Sequence, residues 1–200
     1  MGKVITVTRE FGSMGRKIAK MVADKAGFKY YDRDIIELAA KEIHGNVEEL
    51  SAFEEKNLSL FAKMAYPLGH GTAIMQDKLY EMEKSIIIDL ASAEDCVIVG
   101  RCSDYILHEC RHKEMLNVFI YAPYESRIAF SADELKLSGE KAKSYISKVD
   151  KARIEFYKSR TGVSFYSTKY RSLMIDSSAM SHEVCADIIC AAAKSRFGTG

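Results

Sequence analysis

A short β-branched run, Val4-Ile5-Thr6-Val7, leads through Arg9-Glu10-Phe11 into a small-residue stretch and then into helical spacing from Arg16. A small-residue loop between a strand and a helix can turn backbone N–H groups toward an anion, and the helix dipole adds to the attraction. Gly12, Ser13, Met14, Gly15, Arg16 and Lys17 are therefore candidate phosphate ligands, with Arg16 able to reach a bound phosphate from the first helical turn. The standard nucleotide loop reads G-x-x-x-x-G-K-[ST]. Laying Gly15-Arg16 on its Gly-Lys puts Glu10 at the first Gly and Lys17 at the hydroxyl that usually holds Mg²⁺. On this local pattern a phosphate cradle and a plain strand-to-helix turn both stand.

Ligands of open parallel sheets lie at the carboxyl ends of the strands, so the residues after each strand matter most. These are Tyr30-Tyr31-Asp32-Arg33, Gly100-Arg101-Cys102-Ser103-Asp104, and Pro123 with Arg127. Arg33, Arg101 and Arg127 thus fall near one edge, and the planar guanidinium fork suits phosphate. The competing reading of each is a surface salt bridge, which fits Arg101 least because it leaves a strand directly through Gly100. Further on, Asp150, Arg153, Tyr157 and Arg160 share one face of a long charged helix. Arg153 and Arg160 could close over a phosphate, or the face could simply be solvated. His108 and His112 flank Cys110 at helical spacing, but no second ligand pair completes a zinc site.

These positions need a scaffold of alternating strands and helices. Strands are expected at 3–8, 28–31, 96–99, 116–122 and 173–175. Helices are expected at 16–26, 33–43, 74–93, 103–110, from 124, at 140–160 and at 181–194, where Ser181 is an N-cap. Gly27 sits where a C-cap would. Residues 46–72 break the rhythm: Asn46 with Glu49 and Ser51 with Glu54 have capping-box spacing, and Tyr66–Thr72 is the clearest loop. Leu58, Phe61, Met64 and Ala65 in this stretch could bury against the domain or a second subunit. The whole indicates an α/β domain with a largely parallel five-stranded sheet flanked by helices.

Composition narrows the role. In 200 residues, 48% hydrophobic and 28% charged, one domain fits. Twenty-nine basic residues against 28 acidic ones argue against a nucleic-acid or membrane-surface partner. No apolar run approaches the roughly 18 residues that span a bilayer. Five cysteines without a C-x-x-C pair and no export signal point to reduced thiols in a cytoplasm.

Several blocks in order resemble one bacterial family. Ile5-Thr6-Val7-Thr8-Arg9-Glu10-Phe11-Gly12-Ser13-Met14-Gly15-Arg16 resembles the opening I-T-I-S-R-E-[FY]-G-S-G-G-R of the cytidylate kinase-like family. Tyr30-Tyr31-Asp32 resembles its second block, and Cys96–Leu107 its V-I-V-G-R-C-A-D-Y-I-L block. Asn117–Pro123 with Arg127, then Val149-Asp150-Lys151 with Arg153 and Tyr157, complete the order. The resemblance implies a P-loop nucleoside-monophosphate-kinase fold, a three-layer sandwich with a helical insertion and a lid. The core would be 1–45, 94–130 and 166–200, the acceptor-binding insertion about 46–93, and the lid about 131–165. It implies ATP as donor with Mg²⁺, and a nucleoside monophosphate such as CMP as acceptor, in a monomer or homodimer. Arg16 would contact the transferring phosphoryl group, and Arg153 and Arg160 would balance its charge. Asp32 would orient acceptor or metal. Arg101 would grip the acceptor phosphate, with Arg33, Asp104 and Arg127 beside it.

The chain departs from that pattern at Met14 (usually Gly, and costly at φ > 0 for Met), Lys17, Glu134 and Arg171. Three functions therefore compete: an active small-molecule kinase, a nucleotide-binding regulator with little catalysis, and a structural protein with a dead pocket.

Overall fold

A computed structural model describes residues 1–32, 73–136 and 139–198. The expected helix at 33–43, the inserted segment at 46–72 and Arg33 lie outside them. Five strands form one parallel sheet: β1 (Val4–Arg9), β2 (Lys29–Tyr31), β3 (Cys96–Val99), β4 (Met115–Tyr121) and β5 (Leu173–Asp176), in the order β2-β3-β1-β4-β5. Val4 pairs with Cys96 on one side and Met115 on the other, so β1 is central. A strand buried on both faces reads as a continuous apolar run, as Val4–Val7 and Cys96–Val99 do.

The described helices are α1 (Gly15–Ala26), α2 (Ala73–Ala93), α3 (Ser103–Glu109), α4 (Tyr124–Leu135), α5 (Gly139–Thr161) and α6 (His182–Phe197). One face of the sheet is covered by α1 and α6 through Ile18, Val22, Cys185 and Ile189. The other is covered by α2, α3 and the end of α5 through Ile87, Ile106 and Tyr157. This is the expected three-layer sandwich. Gly27 caps α1 in the left-handed region at φ 70°, and Ser181 caps α6 by accepting from the Val184 N–H.

Two helices of the expected insertion and lid also pack in the core. Tyr80, Ile86, Ile87 and Ala91 of α2 belong to the core, so that helix is as much scaffold as insertion. The far half of α5 is also core, because Tyr157 packs edge-on to Phe165, 5.7 Å between centroids. The near half of α5 buries Ala142, Ile146 and Val149 against Phe11 and Ile128. All five cysteines are free. His112 is buried with Nε2 2.8 Å from the Gly2 carbonyl, and no metal-binding group occurs among the described residues. No described helix is long and apolar enough to cross a membrane.

Candidate functional site

The loop after β1 takes its shape from buried hydrogen bonds. The Ser13 hydroxyl donates to the Glu10 carbonyl at 3.0 Å, and the Ser177 hydroxyl donates to the Ser13 carbonyl at 2.7 Å. Ser13 therefore contributes backbone rather than hydroxyl to the loop surface. Gly12 has φ 77°, and a Cβ there would lie 2.7 Å from the Arg127 carbonyl. Gly15 opens α1 so close to β1 that a Cβ would lie 2.6 Å from the Arg9 Cβ. Met14 between them is the N-cap of α1 at φ 57°, the left-handed conformation that is costly for its side chain. Its side chain is half-buried against the core under α1.

Guanidiniums gather where α1 begins. Arg9 ends β1 and lies across Gly100, where a Cβ would collide with it. Its Nη2 donates to Asp32 Oδ1 at 3.5 Å, and Arg16 pairs with the other oxygen of the same buried carboxylate. Arg153 reaches in from α5, donating to the Arg9 carbonyl at 3.3 Å and resting 5.7 Å from the Phe11 ring centre. Burial, then the neighbouring Arg9, push Arg153 down to about 9. Burial lowers Arg9 too, against the opposing pull of Asp32. Three guanidiniums thus gather at the positive end of a helix, two of them on Asp32, and Arg9 Nε has no partner. That arrangement asks for an anion.

The fit to donor phosphates is good: a glycine-lined turn, a helix terminus and converging arginine donors. The fit to Mg²⁺ is narrower. Lys17 is exposed and faces Glu134 at 4.0 Å, so it supplies no hydroxyl. Asp32 is the carboxylate at hand, and Mg²⁺ can be held by one or two carboxylates together with phosphates and water.

Other expected site residues do different work. Arg127 is buried behind the loop, donating to the Phe11 carbonyl at 3.2 Å and pairing with Asp150 and Glu10. Asp150 accepts from the Phe11 N–H at 2.8 Å. This cluster braces the loop, and Arg127, expected as an acceptor ligand, has these inward partners. Asp104 is fully buried, pairs with Arg171 and accepts from the Tyr157 hydroxyl at 2.9 Å. Expected as an acceptor ligand, it makes internal contacts in this structure. The same pair accounts for Arg171, whose departure from the pattern places a cation beside a buried carboxylate. Arg160 binds Asp77 of α2 at 2.5 Å and stacks 4.8 Å from the Tyr80 ring centre, away from the loop. The face shared by Asp150, Arg153, Tyr157 and Arg160 is real, and each of the four meets a different partner.

Arg101 leaves β3 through a left-handed turn with φ 80°, 59° and 54° at Gly100, Arg101 and Cys102. It meets Glu83 of α2 at 3.3 Å. Glu83 and Arg9 were not singled out from sequence. Glu83 does carry a signal: it lies on the apolar stripe of α2 with Tyr80 and Ile87.

A family model described as the cytidylate kinase-like family matches residues 4–179. No curated protein matches the sequence. Among solved structures, an uncharacterized protein from Eubacterium ventriosum is similar at TM-score 0.74 and 19% identity, covering 96% of this chain and 99% of that one. Shikimate kinase from Acinetobacter baumannii, solved with shikimate, is similar at TM-score 0.53 and 12% identity, covering 98% and 94%. Dephospho-CoA kinase from Campylobacter jejuni is similar at TM-score 0.50 and 18% identity, covering 98% and 99%. At these identities the structural neighbours show the fold, which is that of P-loop kinases.

Proposed function

The chain belongs to the cytidylate kinase-like family, and from that premise we propose that it transfers a phosphoryl group from ATP to a small acceptor, a nucleoside monophosphate such as CMP. The observation that carries this reading is the gathering of Arg9, Arg16 and Arg153 at the head of α1, the first two on Asp32 and the third on the Arg9 carbonyl.

When bound, ATP supplies the phosphoryl group and Mg²⁺ part of its charge neutralisation. The chain's own part is positioning and electrostatics. Backbone N–H groups from Gly12 to Arg16 orient the donor phosphates. Arg16 and Arg153 approach from opposite elements and offset the charge spread over the transferring group. Asp32 holds Arg9 and Arg16 in register and can serve as a metal ligand. Phe11, packed under the near half of α5, ties the loop to the helix that excludes water.

A second reading, a nucleotide-binding regulator, is favoured by Lys17 at the position that usually holds Mg²⁺. The two separate by experiment. A kinase forms ADP from ATP·Mg²⁺ only with an acceptor present, and loses that activity with Arg153→Ala. A regulator is stabilised by ATP and forms no ADP.

A further inference from the structure

Around Glu83, four buried polar atoms have no hydrogen-bond partner: Glu83 Oε1 and Oε2, Arg101 Nη1 and Arg160 Nε. Glu83 is fully buried. Its contact with Arg101 at 3.3 Å is an ion pair without an aligned N–H. Arg160 comes from α5, and Cys102 is the further titratable neighbour on the β3–α3 turn. An ionised carboxylate buried without hydrogen bonds is costly. Two successive non-glycine residues in the left-handed region, Arg101 and Cys102, add strain at the same place. The fold bears both costs at one point, beside the anion site, because Arg9 lies against Gly100 of that turn.

Charge sorts the two places. At the head of α1, Arg9, Arg16 and Arg153 surround Asp32, and Asp150, the other carboxylate near Arg153, is already paired with Arg127. Around Glu83, the two cations Arg101 and Arg160 are offset by Glu83 and Asp77. A phosphate suits the first and is repelled by the carboxylate of the second.

We infer that Glu83, with Arg101 and Arg160, forms a second subsite that takes a neutral hydrogen-bonding group of the acceptor. Such a group donates N–H or O–H to Glu83 and accepts from an arginine, as the base or the sugar of a nucleoside does. Glu83 is then a specificity residue, and Arg101 serves this subsite rather than the acceptor phosphate. The inference rests on the phosphoryl-transfer reading above.

The test is calorimetric titration of wild type, Glu83→Ala and Glu83→Gln with CMP, ribose 5-phosphate and inorganic phosphate. Glu83→Ala weakens CMP tenfold or more and leaves inorganic phosphate unchanged. If ribose 5-phosphate weakens as well, Glu83 reads the sugar; if it does not, Glu83 reads the base. Glu83→Gln keeps the shape of the site and carries the test should the Ala variant not fold. Burial pushes Glu83 up to about 7, against Arg101 and Arg160. The wild-type advantage over Glu83→Gln for CMP therefore grows from pH 6 to 8, a ratio from which the phosphate's own ionisation cancels. Equal weakening of all three ligands, or no weakening of CMP, overturns the subsite alone. Failure of wild type to bind any of them overturns the acceptor reading and the subsite with it.

Discussion

Asp32 is the pivot of the anion site at the scale of single residues. Arg9 and Arg16 are held by its two oxygens, and Arg153 completes the ring from another element. Arg16→Ala removes the half-exposed member without opening the core, so it lowers ATP turnover by about 10²-fold or more while the melting temperature stays near wild type. Gly12→Ala acts in the opposite way. An alanine at φ 77° whose Cβ lies 2.7 Å from a carbonyl oxygen destabilises the protein by about 2 kcal/mol or more, read by denaturant melts. Met14→Gly relieves about 1 kcal/mol of left-handed strain and loses a similar amount of half-buried packing. Its net effect on stability is expected within about 1 kcal/mol, and a loss above about 2 would show that the side chain matters more than the backbone.

Much of this site was legible in the sequence. The glycines, Arg16 and Asp32 announce themselves by residue type at a strand end. Arg9 did not, because β1 is buried on both faces and alternation cannot say where its last side chain turns. Glu83 was readable in principle, as a carboxylate on an apolar stripe. Arg127 and Asp104 show what strand-end position leaves open. Strand-end position places a residue near the site, and only tertiary pairing with Asp150 or Arg171 decides which way its charge points.

Elements are joined around the site by α5, whose inner face meets the loop at Asp150, β1 at Arg153, α3 at Tyr157 and α2 at Arg160. The helix therefore has partners along its length. The Asp104–Arg171–Tyr157 cluster is a buried part of that set. Asp104→Asn leaves Arg171 buried without its counterion, a loss of about 3–5 kcal/mol. Adding Arg171→Met to that variant removes the orphaned charge and recovers much of the stability. If the double variant is no better than the single one, Arg171 is held by something other than Asp104.

At the scale of the whole molecule, 29 basic residues nearly balance 28 acidic ones, and the imbalance is local. The number of its strands and their alternation with helices were plain in the sequence because βαβ units alternate visibly, whereas the sheet order β2-β3-β1-β4-β5 was not. Glu83 also leaves a signature on global stability. Its folded ionisation is raised from 4.5 to about 7, so the folded state binds more protons than the unfolded state between those values. Its contribution is then fully present below about pH 4.5 and is lost as pH rises through about 7. The stability of wild type relative to Glu83→Gln should fall by roughly 1–3 kcal/mol from pH 5 to pH 8. A flat difference would show that Glu83 titrates as it does in the unfolded chain.

The central claim is that the arginine ring at the head of α1 serves phosphoryl transfer. The most direct measurement is transfer from ATP·Mg²⁺ across a panel of nucleoside monophosphates, with Arg16→Ala alongside. The account predicts a diphosphate product from CMP or another member of the panel, lost in the Arg16→Ala enzyme. Absence of product from every acceptor, with ATP still bound, would contradict it and leave a nucleotide-binding regulator in its place.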